Sequence, residues 1–121
     1  MVDRDLEFGG GGPYSSLNFT VSPPPATTLV SPSGRINTRT PTYVWNAVPA
    51  STKYCLWVND PSGNRINKWY SAEEVGCPSG TGTCSVSPSV ELAQGFCKWY
   101  VETFGATGYG PWTGPMEFSV P

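Results

Sequence analysis

From residue 27 onwards, short runs of alternating apolar and polar residues recur along the chain, separated by Gly- and Pro-rich turns. Between Thr42 and Val48, for example, Tyr43, Trp45 and Ala47 share one side of an extended backbone, because side chains alternate between the two faces of a strand. The same reasoning predicts seven strands, at residues 27–31, 42–48, 53–59, 65–70, 83–87, 97–104 and 116–120. Many short strands joined by such turns are typical of an all-β sandwich.

The connections between these strands carry recognisable turn chemistry. Residues 60–64 read Asp-Pro-Ser-Gly-Asn, which favours a hairpin turn because Pro presets φ and Gly tolerates a positive φ. Ser71 and Glu74 have the spacing of a capping box, which predicts one short helical turn after the hairpin. Residues 105–110 contain three glycines and are interpreted as a turn.

An internal repeat indicates that the chain contains parts of two similar units. Residues 12–21 (GPYSSLNFTV) resemble residues 110–120 (GPWTGPMEFSV), with an offset of 98 residues at the start and 99 at the end. A period of about 100 residues is the size of one β-sandwich domain. The alternative is a chance similarity between two strands that are both preceded by Gly and Pro.

The repeat divides the chain into four segments. Residues 1–8 are interpreted as an artificial leader, and residues 9–21 as the last strand of a preceding repeat. Residues 22–26 have the composition of a stiff polyproline linker. Residues 27–121 then form one complete domain, so the expected fold is a seven-stranded sandwich with an extra N-terminal strand.

Five motifs follow one another in this domain: TPTYVWNAVP at 40–49, YCLWV at 54–58, a Cys-bounded Gly/Ser/Thr loop within 76–86, KWYV at 98–101 and GYGPW at 108–112. In this order the chain resembles the fibronectin type III-like repeats, of immunoglobulin-like architecture, that occur in tandem in large secreted bacterial proteins. The resemblance covers residues 27–121. It implies a two-sheet sandwich with a spacer or adhesion role, and it does not imply a catalytic mechanism. Cys55 and Cys97 depart from the pattern and suggest an added covalent staple.

Composition argues against several classes of function. The net charge is −2, and the seven Lys and Arg residues form no basic run, so no nucleic-acid partner is expected. No apolar stretch approaches the roughly 20 residues of a membrane helix, so membrane insertion is not expected either. The chain contains no His, which excludes Ser–His and Cys–His nucleophile pairs. We expect neither a cofactor nor enzyme activity.

The acidic residues could in principle form a hydrolase pair or a calcium site. A glycosidase needs two carboxylates that face each other across a cleft. Glu73 and Glu74 are adjacent and point apart, and they suit the first turn of a helix. Asp60 with Asn59 and Asn64 supplies oxygen ligands of the kind that calcium prefers, but a turn is the simpler interpretation. The other acidic candidates are Glu91, Glu102 and Glu117.

Four cysteines in a short β-rich chain favour disulfides and a secreted or cell-surface location. Their spacing lacks the paired close ligands of a zinc site, so no metal is expected. Cys77 and Cys84 bracket a six-residue loop and are predicted to bond. Cys55 and Cys97 are then paired by elimination. That bond needs a bulge, or an outward-facing Trp99, because the two strands otherwise place the sulfurs on opposite faces.

Aromatic residues give the one functional lead. Trp45 is expected in the core, and Trp112 is expected to pack over the start of the last strand. The strand that contains Tyr100 carries aromatic residues on both faces, so some must point outward. An exposed aromatic row can bind sugar rings or partner proteins, or it can simply cover the sheet or touch the next repeat. The candidate ligand-binding residues are Trp57, Trp69, Tyr70 and Trp99.

Three functions compete at this point. The first is a non-catalytic extracellular spacer or adhesion module whose partners are the neighbouring repeats of the same polypeptide. The second is a carbohydrate-binding module that holds a polysaccharide, or another cell-surface partner, on its aromatic row. The third is a self-assembling subunit, in which the unpaired strand from Ser16 to Val21 complements the sheet edge of another copy.

Overall fold

The structure is a computed structural model that describes residues 22–121. The predicted leader, the strand assigned to a preceding repeat and the segment from Ser16 to Val21 lie outside these residues. The described part contains nine strands and no helix, and therefore no helix that could cross a membrane. The strands are β1 (Leu29–Ser31), β2 (Gly34–Arg35), β3 (Tyr43–Asn46), β4 (Lys53–Asp60), β5 (Gly63–Ser71), β6 (Thr83–Val86), β7 (Gly95–Gly105), β8 (Gly108–Trp112) and β9 (Met116–Val120).

The strands form two sheets. The smaller sheet has the order β1-β3-β6 and is antiparallel throughout. The larger sheet has the order β2-β9-β7-β4-β5, and β8 folds back onto β7 as a hairpin. Only the short β2–β9 pairing in the described residues is parallel. Residues 22–121 are therefore all-β, as predicted, with two sheets that share one core.

Each of the seven predicted strands has a counterpart, and the bounds of β9 are the predicted ones. The count of seven is wrong, because the structure adds β2 and β8. Residues 105–110 are not one long turn: the chain reverses at Ala106 and Thr107, and β8 then begins at Gly108. Gly and Pro are depleted in strands, so the pairing with β7 rather than local preference forms β8.

Large aromatic side chains fill the core between the sheets. Trp45 and Trp99 are both fully buried, with ring centroids 6.3 Å apart, which confirms the core position predicted for Trp45. The Trp99 indole N–H donates to the Pro32 carbonyl at 3.0 Å. Tyr54 packs on Trp45 with centroids 5.6 Å apart, and its hydroxyl accepts a hydrogen bond from the Val48 N–H at 2.9 Å. Because Trp45 and Trp99 come from different sheets, this contact joins the two layers.

The hairpin turn at residues 60–64 and the capping box of Ser71 and Glu74 both form, but no helix follows the capping box. Gly63 lies at φ 121° in the β4–β5 hairpin, a conformation that favours glycine. The Ser71 N–H donates to Glu74 Oε1 at 2.8 Å, and the Glu74 N–H donates to Ser71 Oγ at 3.1 Å, which are the reciprocal bonds of a capping box. The following residues form turns and do not continue as a helix.

The Pro-rich segment at residues 22–26 lies against the β7–β8 hairpin. Pro24 is fully buried. The hydroxyl of Thr103 donates to the Pro25 carbonyl at 3.0 Å, and that of Thr107 donates to the Ser22 carbonyl at 2.6 Å. A Cβ atom at Gly110 would overlap Thr103 Oγ1 and the Pro24 carbonyl oxygen, so the close approach needs glycine.

Candidate ligand-binding face

The larger sheet turns one face to the core and the other away from it, and we call the second its outer face. Strand pleating places Trp57 of β4 and Trp69 of β5 on the outer face, whereas their sequence neighbours Leu56 and Tyr70 are buried. On β7 the residues that alternate with the buried Trp99 and Val101 also point outward. The outer face therefore carries two aromatic clusters, one built around Trp57 and the other around Trp69.

The Trp57 cluster consists of Trp57, Tyr100 and Trp112, from β4, β7 and β8. Trp57 and Trp112 meet edge to face, with ring centroids 6.0 Å apart and planes inclined by 82°. The Trp57 indole N–H donates to Asn59 Oδ1 at 3.0 Å, which fixes the orientation of the ring. Together with Thr113 these side chains line a groove of about 370 Å³. Trp112 is 43% exposed, so an aromatic surface in the groove is accessible to a ligand.

The Trp69 cluster consists of Trp69, Phe104 and Tyr109, from β5, β7 and β8. The Trp69 ring lies 6.1 Å from that of Phe104 and 5.8 Å from that of Tyr109, measured between centroids. Lys53 Nζ lies 5.8 Å from the centroid of the Phe104 ring, within the range of a cation–π interaction. These four side chains line a second groove of about 200 Å³.

Cys55 and Glu102 lie opposite each other on β4 and β7, between the two clusters. Cys55 is only 2% exposed, and its β5 neighbour in register is Trp69. Burial raises the pKa of the Glu102 carboxyl above its usual value. Burial and the negative charge of Glu102 together raise the pKa of the Cys55 thiol to about 11, so the thiol is protonated at neutral pH and is a poor nucleophile.

The structure separates the four predicted ligand-binding residues. Trp57 and Trp69 are on the outer face, as an exposed aromatic row requires, and Trp69 is 37% exposed. Trp99 is fully buried and Tyr70 is 8% exposed, so both belong to the core and the prediction that they join the row is wrong. Trp112 packs on Trp57 at the outer face.

Sequence reasoning missed Phe104 and Tyr109. Phe104 lies four positions after Tyr100 on β7, and an even offset places both side chains on the same face, so this signal was available. Tyr109 belongs to β8, and its position could not be inferred while that stretch was interpreted as a turn. The outer face therefore carries more aromatic surface than the sequence predicted.

The cysteine predictions have different outcomes. Cys77 and Cys84 form a disulfide, with Cα atoms 5.2 Å apart. Cys55 and Cys97 are both free and buried, so the second predicted bond is wrong. Cys55 of β4 lies opposite Glu102 of β7. Glu102 is five positions along β7 from Cys97, which corresponds to about 16 Å between the two backbone positions. The two thiols also lie on opposite faces of the sheet, since no bulge shifts the β4–β7 register.

Asp60 is part of a turn, as the simpler interpretation proposed. Its Oδ2 atom accepts from Arg65 Nη1 at 2.9 Å and from the Ala93 N–H at 2.7 Å. Its Oδ1 atom accepts from the Ser62 N–H at 2.8 Å and from the Ser62 hydroxyl at 2.6 Å. These contacts use both carboxylate oxygens, and residues 22–121 contain no cluster of acidic or sulfur ligands suited to a metal ion.

No protein-family model and no curated protein sequence matches this chain. Among solved structures, the fold is similar to part of chitinase ChiW from Paenibacillus sp. str. FPU-7, described as bacterial cell-surface-expressed multi-modular enzyme machinery. The TM-score is 0.54 at 20% identity, over 90% of this chain and 10% of that one. CopC from Methylosinus trichosporium OB3b gives a TM-score of 0.47 at 18% identity, over 78% of this chain and 92% of that one. This chain thus spans about a tenth of the chitinase. The similarity to the chitinase is compatible with a β-sandwich module, and it shows the fold alone.

Proposed function

We propose that this chain is a non-catalytic β-sandwich module of a secreted, multi-modular protein, and that its outer face binds a polysaccharide chain. The observation that carries the binding proposal is the pair of aromatic clusters on one sheet face, around Trp57 and around Trp69. Aromatic rings offer flat apolar surfaces with some polarity, which match the apolar faces of sugar rings.

The module part of the proposal rests on architecture and redox chemistry. A three-stranded antiparallel sheet packed on a larger, mostly antiparallel sheet supports the fibronectin type III-like assignment. The Cys77–Cys84 disulfide is compatible with an oxidising, extracellular location. The similar part of the chitinase is one small portion of a cell-surface protein, which is compatible with the same location.

The layout of the clusters favours an extended ligand over a single sugar. Tyr100 of the Trp57 cluster and Phe104 of the Trp69 cluster are four residues apart on one strand, so about 13 Å separates their backbone positions. A ligand that contacts both clusters must span this distance, as an oligosaccharide does. The exposed side chain of Asn67, opposite Trp57 on the neighbouring β5, supplies an amide group for sugar hydroxyls at the same face.

The absence of catalysis is proposed from the placement of the acidic groups. The chain has no His. Asp60 is engaged by Arg65, and Glu117 lies 3.9 Å from Lys98. Glu102 is the carboxylate between the aromatic clusters, and a hydrolase would need a second carboxylate facing it across the bound sugar.

Electrophoresis through gels that contain soluble polysaccharides tests the binding proposal. We expect one polysaccharide to retard the protein, and Trp57→Ala or Trp69→Ala to weaken binding about tenfold. Phe96→Ala is the matched control, because Phe96 is 79% exposed on the same sheet but belongs to neither cluster. Equal retardation of the wild type and both Trp variants, or equal loss in the Phe96 variant, would contradict the proposal.

A spacer role, which needs no ligand, is the second candidate, and the docked Pro-rich segment favours it. The hydrogen bonds of Thr103 and Thr107 hold residues 22–26 on the β7–β8 hairpin, so whatever precedes them would leave the domain in one direction. Small-angle scattering of two linked repeats would test this role: a fixed inter-domain distance supports it, and a broad distribution argues against it.

A further inference from the structure

Glu102 occupies the centre of the aromatic surface. Along β7 it is flanked by Tyr100 and Phe104, one from each cluster. Across the sheet it pairs in register with Cys55 on one side and with Trp112 on the other. A ligand that extends from one cluster to the other must therefore pass over this carboxylate.

The protein supplies no counter-charge for Glu102 within residues 22–121. The carboxylate takes part in neither of the salt bridges described there and accepts no side-chain hydrogen bond in that range. The two lysines on the same face point elsewhere: Lys98 Nζ lies 3.9 Å from Glu117, and Lys53 Nζ lies over the Phe104 ring. Arg65 is bound to Asp60.

This placement is unfavourable for the free protein. Glu102 is partly buried among aromatic rings, and burial without a partner disfavours the charged form, which is why its pKa is raised. A hydrogen-bond donor that carries a positive charge would offset that desolvation. The rings beside Glu102 other than Phe104, over which Lys53 already lies, would attract the same charge through their electron-rich faces. Within residues 22–121 the site therefore combines two features, flat apolar surfaces and a carboxylate with no partner there, that both favour a cation attached to a ring.

Resting on the proposed polysaccharide function, we propose that the outer face binds an amino-sugar polymer with free ammonium groups, and that Glu102 accepts a hydrogen bond from one of them. The sugar rings on either side of that ammonium group lie on the Trp57 cluster and on the Trp69 cluster. A lysine-rich peptide would also carry positive charge, but its flexible methylene chains lack the flat rings that would cover the aromatic clusters on both sides of Glu102.

Calorimetric titration with three oligosaccharides of equal length tests this inference. The probes are an oligomer of glucosamine, the corresponding oligomer of N-acetylglucosamine and a neutral glucose oligomer with the same linkage. We expect the wild type to bind the glucosamine oligomer about tenfold more tightly than the neutral two, a difference of about 1.4 kcal/mol. Glu102→Gln should remove this preference and leave the neutral affinities within about twofold of the wild type.

Glu117→Gln is the matched control, because it removes the same charge from the same sheet at a residue outside the clusters. An equal loss in the Glu102 and Glu117 variants would overturn the inference, since it would show a response to net charge alone. Equal wild-type affinity for all three oligomers would overturn the inference and leave the proposed function in place. Tighter binding of a lysine oligomer would overturn it in favour of a peptide ligand, and no binding of any oligosaccharide would overturn both proposals.

Discussion

Replacing Asp60 by Asn tests how the β4–β5 hairpin is stabilised. Asp60 has a side chain with no exposed surface, and it accepts hydrogen bonds from Ser62, Arg65 and the Ala93 N–H. The Ala93 bond ties the hairpin to the loop that precedes β7. The Asp60→Asn substitution keeps the shape of the side chain but removes the charge and one acceptor, so the expected loss is mainly electrostatic.

The magnitude follows from the pKa of Asp60. Burial alone would raise this pKa, but the hydrogen bonds from Ala93, Ser62 and Arg65 outweigh it and lower the pKa from 3.8 to about 2. At about 1.4 kcal/mol for each pKa unit, the charged carboxylate stabilises the folded state by about 2 kcal/mol at neutral pH. Because the folded pKa lies below the unfolded value, this contribution is present above about pH 4 and is lost as the pH falls towards 2.

Urea unfolding of the wild type and Asp60→Asn, followed by Trp fluorescence, measures the effect. We expect the variant to be less stable by about 2 kcal/mol at about pH 7, and this difference to shrink by about half at about pH 3. Glu73→Gln is the control: Glu73 is exposed, and its substitution should change stability by less than about 0.5 kcal/mol. A difference between wild type and Asp60→Asn that does not change with pH would refute the reasoning.

Two further predictions concern covalent and steric constraints. Replacing Cys77 and Cys84 together by Ala opens a loop whose ends are seven residues apart, so the free energy of unfolding should fall by about 2.5 kcal/mol from loop entropy. Reduction of the wild type should lower its melting temperature in the same way, and an unchanged melting temperature would contradict the prediction. Gly110→Ala forces a Cβ atom into Thr103 and the Pro24 carbonyl, so it should lower stability by about 1–3 kcal/mol and increase hydrogen exchange at residues 22–26. Gly114→Ala is the control and should have neither effect, because a Cβ atom there meets no atom within 4 Å.

Strand periodicity and turn chemistry predicted much of the fold. The alternation around Trp45 placed that side chain in the core, and the Pro and Gly at residues 60–64 placed the hairpin between β4 and β5. These features are local, since a strand pattern and a turn each depend on residues close in sequence. The Cys77–Cys84 bond was predictable for the same reason, because a short loop keeps the two residues close together.

The candidate site was predicted less well because it depends on pairing between distant strands. The faces of Trp57 and Trp99 differ, and parity within one strand does not show which face meets the other sheet. Register alone shows that Cys55 lies opposite Glu102 and far from Cys97, and no sequence pattern specified that register. Tyr109 enters the site only because β8 pairs with β7, and its Gly- and Pro-rich sequence gave no strand signal.

The most direct test of the proposed binding face uses the five tryptophans as internal probes. Each indole N–H gives one resonance in a proton–nitrogen correlation spectrum, so titration with soluble polysaccharides reports on all five at once. We predict that the resonances of Trp57, Trp69 and Trp112 shift with a common saturation curve, while those of the fully buried Trp45 and Trp99 stay in place. Shifts in none of the five with any polysaccharide, or shifts in Trp45 and Trp99 equal to those of the outer three, would contradict the proposed polysaccharide-binding face.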